Sequence, residues 1–154
     1  MSTEQGFLRQ AIALARDNVA AGGRPFGAVV VKDGEVIAGG VNEIHRTNDP
    51  TAHAEMLAIR AASQALASPN LAGCVVYASG HPCPMCLAAA RMAGIGEVVF
   101  AYSNEAGEPF GLSTAAVYAD LARPFAEQSM RIRHAPLGDE PDLYAEWRRR
   151  TDAS

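Results

Sequence analysis

The spacing of apolar residues divides the chain into alternating helices and strands. Residues 3–20 place leucine, isoleucine, valine and alanine at helical spacing, and Gly22-Gly23 marks the end of this segment. Apolar runs at 26–31 and 36–38 flank a Lys-Asp-Gly-Glu sequence, whose Asp-Gly pair is typical of a tight turn between antiparallel strands. The pattern therefore predicts a first helix followed by a β-hairpin.

The alternation continues along the rest of the chain. Further helices are predicted near 52–66, from 84 onward, and at 113–121 and 139–150, and further strands at 73–79, 96–102 and 129–134. Thr51 can cap the helix over 52–66, which places His53 in its first turn. Because crossover helices join parallel strands, we expect a sheet covered by helices on both faces. With no repeat and no linker, one domain is predicted over 1–154.

Composition narrows the classes of function. The chain has 154 residues, of which 49% are apolar and 19% charged, as expected for one globular domain. Its net charge of -4 argues against a broad nucleic-acid interface and favours a small-molecule substrate. No stretch approaches the roughly 18 to 20 apolar residues of a membrane helix, and the polar start is unlike a secretion signal. We therefore expect a cytoplasmic protein with no membrane partner.

Two short motifs contain the residue types of a metal site. They are His53-Ala54-Glu55 and the later Pro-Cys-Pro-Met-Cys run, which contains Cys83 and Cys86. One histidine and two cysteines are three zinc ligands, and catalytic zinc sites use three ligands where structural sites use four. A proline after Cys83 suits the first position of a helix, where unpaired N–H groups favour thiolates. The motifs predict one catalytic zinc ion per chain.

The position of Glu55 suggests the reaction. Residues two apart lie about 200° apart around a regular helix, so His53 and Glu55 can face one site only at the helix start. Zinc would lower the pKa of bound water toward about 7, and Glu55 would carry protons to a ring nitrogen and a leaving amine. The backbone N–H of Ala54 is a further expected contact for water or substrate. Hydrolytic deamination, with release of ammonia, is the reaction class that follows.

These motifs resemble the signature of the zinc-dependent cytidine-deaminase-like superfamily, in which the glutamate of His-x-Glu does not bind the metal. The sequence around these motifs looks most similar to bacterial guanine deaminases and, next, to tRNA adenosine deaminases. The resemblance implies a three-layer α/β/α sandwich around a five-stranded mixed sheet. It also implies zinc ligation by His53, Cys83 and Cys86, with Glu55 as proton shuttle, and a homodimer, sometimes with an exchanged C-terminal segment.

The resemblance also indicates substrate contacts. Asn42 would hydrogen-bond the base, although turn chemistry alone also favours asparagine there, and Phe26 would line the pocket or simply pack in the core. His81 stands where the relatives usually have glutamate, and it could be a substrate contact, a rim residue or a fourth ligand. Thr114 stands where guanine deaminases have aspartate. A guanine-like purine is the first expectation, and other amino-purines or amino-pyrimidines remain open.

Other functions and residues stay open at this point. A tRNA adenosine deaminase, or a cytosine or nucleoside deaminase, is the enzyme alternative, and the acidic net charge disfavours tRNA. A zinc-stabilised binding module without activity is the alternative from another class, and it would have no use for Glu55. Asn104, Glu105 and Phe110 lie in a loop that suits either specificity or plain solvation. Cys74, outside the metal motif, is expected in the core.

Overall fold

The computed structural model describes residues 3–153. The helices are α1 (Glu4–Ala20), α2 (Ile44–Thr47), α3 (Ala54–Ala65), α4 (Pro84–Met92), α5 (Asn104–Gly107), α6 (Ala115–Leu121) and α7 (Leu143–Asp152). The strands are β1 (Gly27–Lys32), β2 (Glu35–Val41), β3 (Cys74–Gly80) and β4 (Glu97–Tyr102). The chain divides into two compact units after Ala122. Within the described range, no helix combines the length and the apolarity needed to cross a membrane.

The sheet is mixed, with strand order β2-β1-β3-β4. β1 pairs antiparallel with β2 and with β3, and β3 pairs parallel with β4. β2 and β3 therefore run in the same direction, and the α3 crossover joins them around β1. The second crossover, through α4, joins the parallel neighbours β3 and β4. Both crossovers agree with the predicted parallel connections beyond the hairpin.

Helices cover both faces of the sheet. On one face, Phe7 of α1 packs against Tyr77 with ring centroids 5.0 Å apart, beside Val29. The opposite face contacts α3 and α4 through a core of small and β-branched side chains, which includes Ala28, Val30, Ala54, Ala58, Ile59, Ala62, Val76 and Ala90. Because both of its faces are covered, β1 is buried without the usual alternation. The predicted three-layer α/β/α sandwich is confirmed.

The predicted fifth strand is wrong for the part of the chain that the structure describes. The sheet has four strands there, and residues 129–134 form bends and irregular backbone. That segment offers only Met130 and Ile132 as large apolar residues, and Met130 is 65% exposed. An alternating pattern stabilises a strand only when a neighbouring strand pairs with it and one of its faces is buried. Neither condition is met.

The last helix starts later than predicted. The sequence pattern placed its start near 139, whereas α7 begins at Leu143. The side chain of Asp142 accepts a hydrogen bond from the backbone N–H of Ala145 at 3.1 Å. An aspartate at this cap position satisfies an N–H group that the helix itself leaves unpaired. The cap therefore fixes the boundary, and the apolar pattern alone did not locate it.

Two glycines let helices approach the sheet at backbone distance. A Cβ atom at Gly27 would lie 2.4 Å from the carbonyl oxygen of Ala11 in α1. A Cβ atom at Gly40 would lie 2.6 Å from the carbonyl oxygen of Ala54 and 2.8 Å from the backbone nitrogen of Ala58, both in α3. Any side chain at Gly40 would therefore push α3 away from the sheet.

We expect Gly40→Ala to lower the free energy of unfolding by about 1 to 3 kcal/mol, because the new methyl group overlaps the α3 backbone. The measurement is the urea unfolding midpoint followed by circular dichroism. Gly39→Ala is the matched control, since its Cβ would meet nothing closer than 3.4 Å. It removes a flexible residue from the same strand and should be neutral or slightly stabilising. Equal effects of the two substitutions would contradict the steric explanation.

Candidate active site

The start of α3 brings His53 and Glu55 to one site. His53 is the N-cap residue of the helix, with extended backbone (φ -79°, ψ 154°), and Glu55 lies in the first turn. The predicted capping role of Thr51 is wrong, because its hydroxyl donates to Asp49 Oδ1 at 2.7 Å instead. His53 is therefore not yet helical. The 200° separation of a regular helix does not apply to this pair.

The start of α4 presents two thiols as the sequence predicted. Cys83 is the N-cap residue, Pro84 opens the helix, and Cys86 lies one turn in. The sulfur of Cys83 accepts a hydrogen bond from the backbone N–H of Cys86 at 3.5 Å. This places both sulfur atoms beside the positive end of the helix dipole, which stabilises thiolates.

Three potential ligand atoms from these two helix starts meet in one place. Cys83 Sγ lies 3.4 Å from His53 Nδ1, Cys86 Sγ lies 3.5 Å from the same nitrogen, and the two sulfur atoms are 3.5 Å apart. Tetrahedral zinc with usual bond lengths separates a nitrogen and a sulfur ligand by about 3.5 Å and two sulfurs by about 3.8 Å. The three residues are therefore positioned to hold one zinc ion.

The close packing of the three potential ligands shifts the pKa values of their side chains. Hydrogen bonds from Cys86 and then from His53 lower the pKa of the Cys83 thiol to about 4. The hydrogen bond to Cys83, followed by burial, raises the pKa of Cys86. The hydrogen bond with Cys83 also raises the pKa of His53. Two buried thiols that share one proton in this way become a ligand pair when a divalent cation replaces that proton.

Glu55 lies next to the ligands but outside the group of three. Its side chain is buried, with 7% of its surface exposed. Burial raises the pKa of its carboxyl group, and a hydrogen bond with Cys86 opposes that shift. A carboxylate whose pKa is raised toward neutrality can both accept and return a proton. Glu55 therefore has the environment of a proton carrier.

A cavity of about 240 Å³ opens onto His53, Cys83 and Glu55. It is smaller than the roughly 300 to 1,000 Å³ of drug-sized sites and suits a compact ring system. All five residues predicted to contact substrate lie in its wall, namely Phe26, Asn42, Ala54, His81 and Thr114. The rest of the wall consists of Arg24, His53, Glu55, Cys83, Gly111, Leu112 and Ser113. The structure thus brings the predicted site residues together.

His81 is held in the wall by neighbours rather than joined to the metal ligands. Its ring packs edge-on against Phe100 and Tyr118, with centroids 4.6 and 5.3 Å away. Its Nδ1 lies 3.0 Å from the carbonyl oxygen of Pro82 and 3.3 Å from Nδ2 of Asn104. His81 is not part of the ligand group found among residues 3–153. The alternative of a fourth ligand is therefore not supported.

Asn104 links His81 and Thr114, two residues of the cavity wall. Its Nδ2 faces His81, and its Oδ1 accepts a hydrogen bond from the backbone N–H of Thr114 at 3.2 Å. The hydroxyl oxygen of Thr114 is buried and has no hydrogen-bond partner within residues 3–153. A buried hydroxyl without a partner is costly unless a ligand or water satisfies it. Asn104, which the sequence placed in a loop and which opens α5 in the structure, therefore organises part of the cavity wall.

Asn42 combines the two roles that the sequence left open. Its Oδ1 accepts from the backbone N–H of Ile44 at 3.1 Å, which is the turn contact expected of asparagine. The side chain is only 2% exposed and still lines the cavity. Its Nδ2 has no hydrogen-bond partner within the described part of the chain. The turn thus fixes the amide so that one donor stays available.

Sequence reasoning missed Arg24 and the residue that anchors it. Asn18 of α1 is buried and donates from Nδ2 to the backbone oxygens of Arg24 and Asn42, at 2.8 and 2.9 Å. A signal for Asn18 was available, because it falls on the buried face of α1 together with Phe7, Ala11 and Ala15. A polar residue in such a position has to satisfy its hydrogen bonds inside the protein. Arg24 had no comparable signal, since it follows two loop glycines.

Known proteins share both this sequence and this fold. Residues 1–102 match the family model described as cytidine and deoxycytidylate deaminase zinc-binding region. Guanine deaminase of Bacillus subtilis (strain 168) is 39% identical over 92% of this chain and 92% of its own. The tRNA-specific adenosine deaminase of Aquifex aeolicus (strain VF5) is 34% identical over 92% and 91%.

A solved structure extends the similarity to the fold. The X-ray structure of guanine deaminase from Bacillus subtilis superposes with a TM-score of 0.89 at 38% identity, covering 96% of this chain and 94% of that one. The sequence match includes all three potential zinc ligands. Together with the ligand geometry, these likenesses identify the chain as a hydrolytic zinc-dependent enzyme that belongs to the cytidine and deoxycytidylate deaminase family.

Proposed function

We propose that this enzyme deaminates a free guanine-like amino-purine. The observation that carries the proposal is the compact cavity in which Glu55 lies beside the three zinc ligands, in a chain so similar to a guanine deaminase. A cavity of about 240 Å³ matches a bare base better than a polymeric substrate. The net charge of -4 also disfavours an RNA partner.

The cavity supports a simple division of labour in the reaction. His53, Cys83 and Cys86 would hold the zinc ion, which, when bound, would supply the Lewis acidity that activates water at neutral pH. Glu55 accepts the proton of the attacking water and passes it to the ring nitrogen next to the carbon under attack. It then takes the remaining proton from the hydroxyl group now bonded to the ring carbon and delivers it to the amino group, the carbon–nitrogen bond breaks, and ammonia leaves. The ring carbon keeps the oxygen, so the amine becomes an oxo group.

We propose five substrate contacts. Asn42 donates from Nδ2, Ala54 offers its backbone N–H at the start of α3, and Phe26 packs against the ring. The buried hydroxyl of Thr114 forms a hydrogen bond with the substrate, and the ring of His81 completes the cavity wall. Their support is their common position around one cavity, with an unpaired donor on Asn42 and an unpaired hydroxyl on Thr114.

Glu55→Ala should keep the fold and one zinc ion per chain but lose about 10²- to 10⁴-fold in kcat, because the proton carrier is gone. Glu55→Gln should behave alike, since the amide fills the same space without carrying protons. The measurements are zinc by atomic absorption and ammonia release. Glu35→Ala, which removes an exposed carboxylate from the end of the hairpin turn, is the control and should be fully active. Full activity of either Glu55 variant would end the mechanism.

A substrate panel tests the choice of base. We expect ammonia release from guanine and related 2-amino-purines, and little from cytosine, nucleosides, triazines or a tRNA anticodon stem. The reason is the small cavity together with the negative net charge of the chain. Turnover of the tRNA stem or of cytosine, with none of the purines, would replace the proposal by one of the alternative deaminases.

The same panel applied to two variants separates substrate contacts from packing. Asn42→Ala should raise KM for the preferred base, because a donor in the cavity is lost. Cys74→Ala removes a buried side chain from β3 that lies outside the cavity wall, so it should leave KM unchanged. Equal changes in the two variants would remove Asn42 from the proposed contacts.

We further propose that the enzyme is a homodimer. Phe100 and Tyr102 on β4 and Val117 and Leu121 on α6 are 38 to 52% exposed. A hollow of about 420 Å³ between β4, α4 and α6 is lined mainly by apolar groups. A second copy that covers this surface would remove it from water. Sedimentation equilibrium should give twice the 16.2 kDa chain mass, and a monomer at micromolar concentration would refute the proposal.

We also propose a cellular compartment and a domain organisation for the enzyme. Zinc ligation needs Cys83 and Cys86 as reduced thiols, and both are free in the structure. Reduced cysteines persist in the cytoplasm, which we propose as the compartment. We propose that residues 1–154 act as a single zinc-dependent deaminase domain. The support is that the Bacillus structure matches 96% of the chain.

A further inference from the structure

Arg24 contributes a permanent positive charge to the cavity wall. It lines the same cavity as His53 and Glu55, and it is exposed, so it belongs to the mouth rather than the floor. Apart from the histidines, it is the only basic side chain among the described lining residues. No carboxylate lies within ion-pair distance of its guanidinium among residues 3–153. Its five N–H donors are therefore available to a ligand.

The backbone of Arg24 is fixed relative to the rest of the site. Its carbonyl oxygen accepts from Asn18 Nδ2 at 2.8 Å and from the N–H of Phe26 at 2.8 Å. The carbonyl oxygen of Phe26 in turn accepts from the N–H of Asn42 at 3.2 Å. At Gly23, a Cβ atom would lie 2.5 Å from the Asn18 side chain, so this position beside Arg24 has no room for a side chain. Arg24 thus starts from a defined point at the mouth.

The reaction itself orients a purine in this cavity. The carbon that loses its amino group has to lie next to the zinc ligands and Glu55, at the floor. In a 2-amino-6-oxopurine that carbon is C2, and C5 is diametrically opposite it in the six-membered ring. N7 is attached to C5 and O6 to C6, so the N7/O6 edge faces the mouth. Both of these atoms are hydrogen-bond acceptors, and arginine binds this pair bidentately.

We propose that Arg24 determines specificity by donating two hydrogen bonds to O6 and N7 of a 6-oxopurine. This inference rests on the proposed function, because it requires a purine that reacts at C2. The 6-amino group of 2,6-diaminopurine is a donor, so it would oppose the guanidinium instead of pairing with it.

The test compares guanine, 2,6-diaminopurine and 2-aminopurine, which share the reacting 2-amino group and differ at position 6. Products are separated by chromatography so that only loss of the 2-amino group is scored. Arg24→Ala should lower kcat/KM for guanine about 5- to 30-fold, mainly through KM. The effect on 2-aminopurine should be smaller, and 2,6-diaminopurine should lose nothing.

Substitution by glutamine should reverse the preference. A glutamine amide presents one donor and one acceptor, which matches N7 and the 6-amino group. Arg24→Gln should therefore raise the ratio of diaminopurine to guanine turnover above that of Arg24→Ala. Arg24→Lys keeps the charge but loses the planar pair of donors, so it should recover guanine turnover only in part.

Arg9→Ala is the matched control, because Arg9 is an exposed arginine on α1 outside the cavity wall. It should leave all three substrates unchanged. Equal losses on the three purines in Arg24→Ala, or no loss at all, would overturn the specificity role while the proposed function stands. Absence of any purine turnover by the unmodified enzyme would instead overturn the proposed function, and the specificity role with it.

Discussion

The arrangement on which the site depends is the meeting of two sulfur atoms and one imidazole nitrogen within 3.5 Å of one another. Removing two thiolates from water is costly unless a cation compensates their charge. The fold therefore has to bring the starts of α3 and α4 together and leave space for an ion between them. Gly40 helps by letting the α3 backbone approach β2 closely. Glu55 lies beside these potential ligands without joining the group of three.

Much of this arrangement could be predicted because it is local. The Cys-Pro-Met-Cys run alone predicts the positions of the two cysteines, because the proline opens a helix and the cysteines then lie one turn apart. The four strands and the longer helices of the first unit also followed from their apolar spacing, whereas the short helices α2 and α5 lie in segments predicted to be loops. The exact start of α3 did not, because Thr51 and His53 compete for the cap and the outcome depends on Asp49 engaging the Thr51 hydroxyl. A fifth strand was predicted from a short alternation, which cannot reveal whether a partner strand exists.

The cavity wall could be predicted only in part, for a different physical reason. Asn42, His81 and Thr114 came from a resemblance, and the structure explains why they converge. Arg24 joins them because Asn18, 6 residues earlier in the chain, holds its carbonyl together with that of Asn42, 24 residues away from Asn18. The spacing of apolar residues along the chain carries no information about such a contact between three segments. The potential zinc ligands thus lie on two helix starts, whereas most of the proposed substrate contacts lie on segments outside those two helices.

Asn18 is a residue outside the cavity that holds two of the segments forming its wall. Helix α1 contributes no lining residue to the catalytic cavity, yet its one buried amide sets the starting points of the Arg24 and Asn42 segments. Substitutions at this buried position would move the Arg24 and Asn42 segments, and with them the choice of ring, while the zinc ligands and Glu55 stay unchanged. Laboratory libraries that randomise only the cavity wall would never sample that route. A search for new deaminase selectivities should therefore include α1, a helix outside the cavity wall.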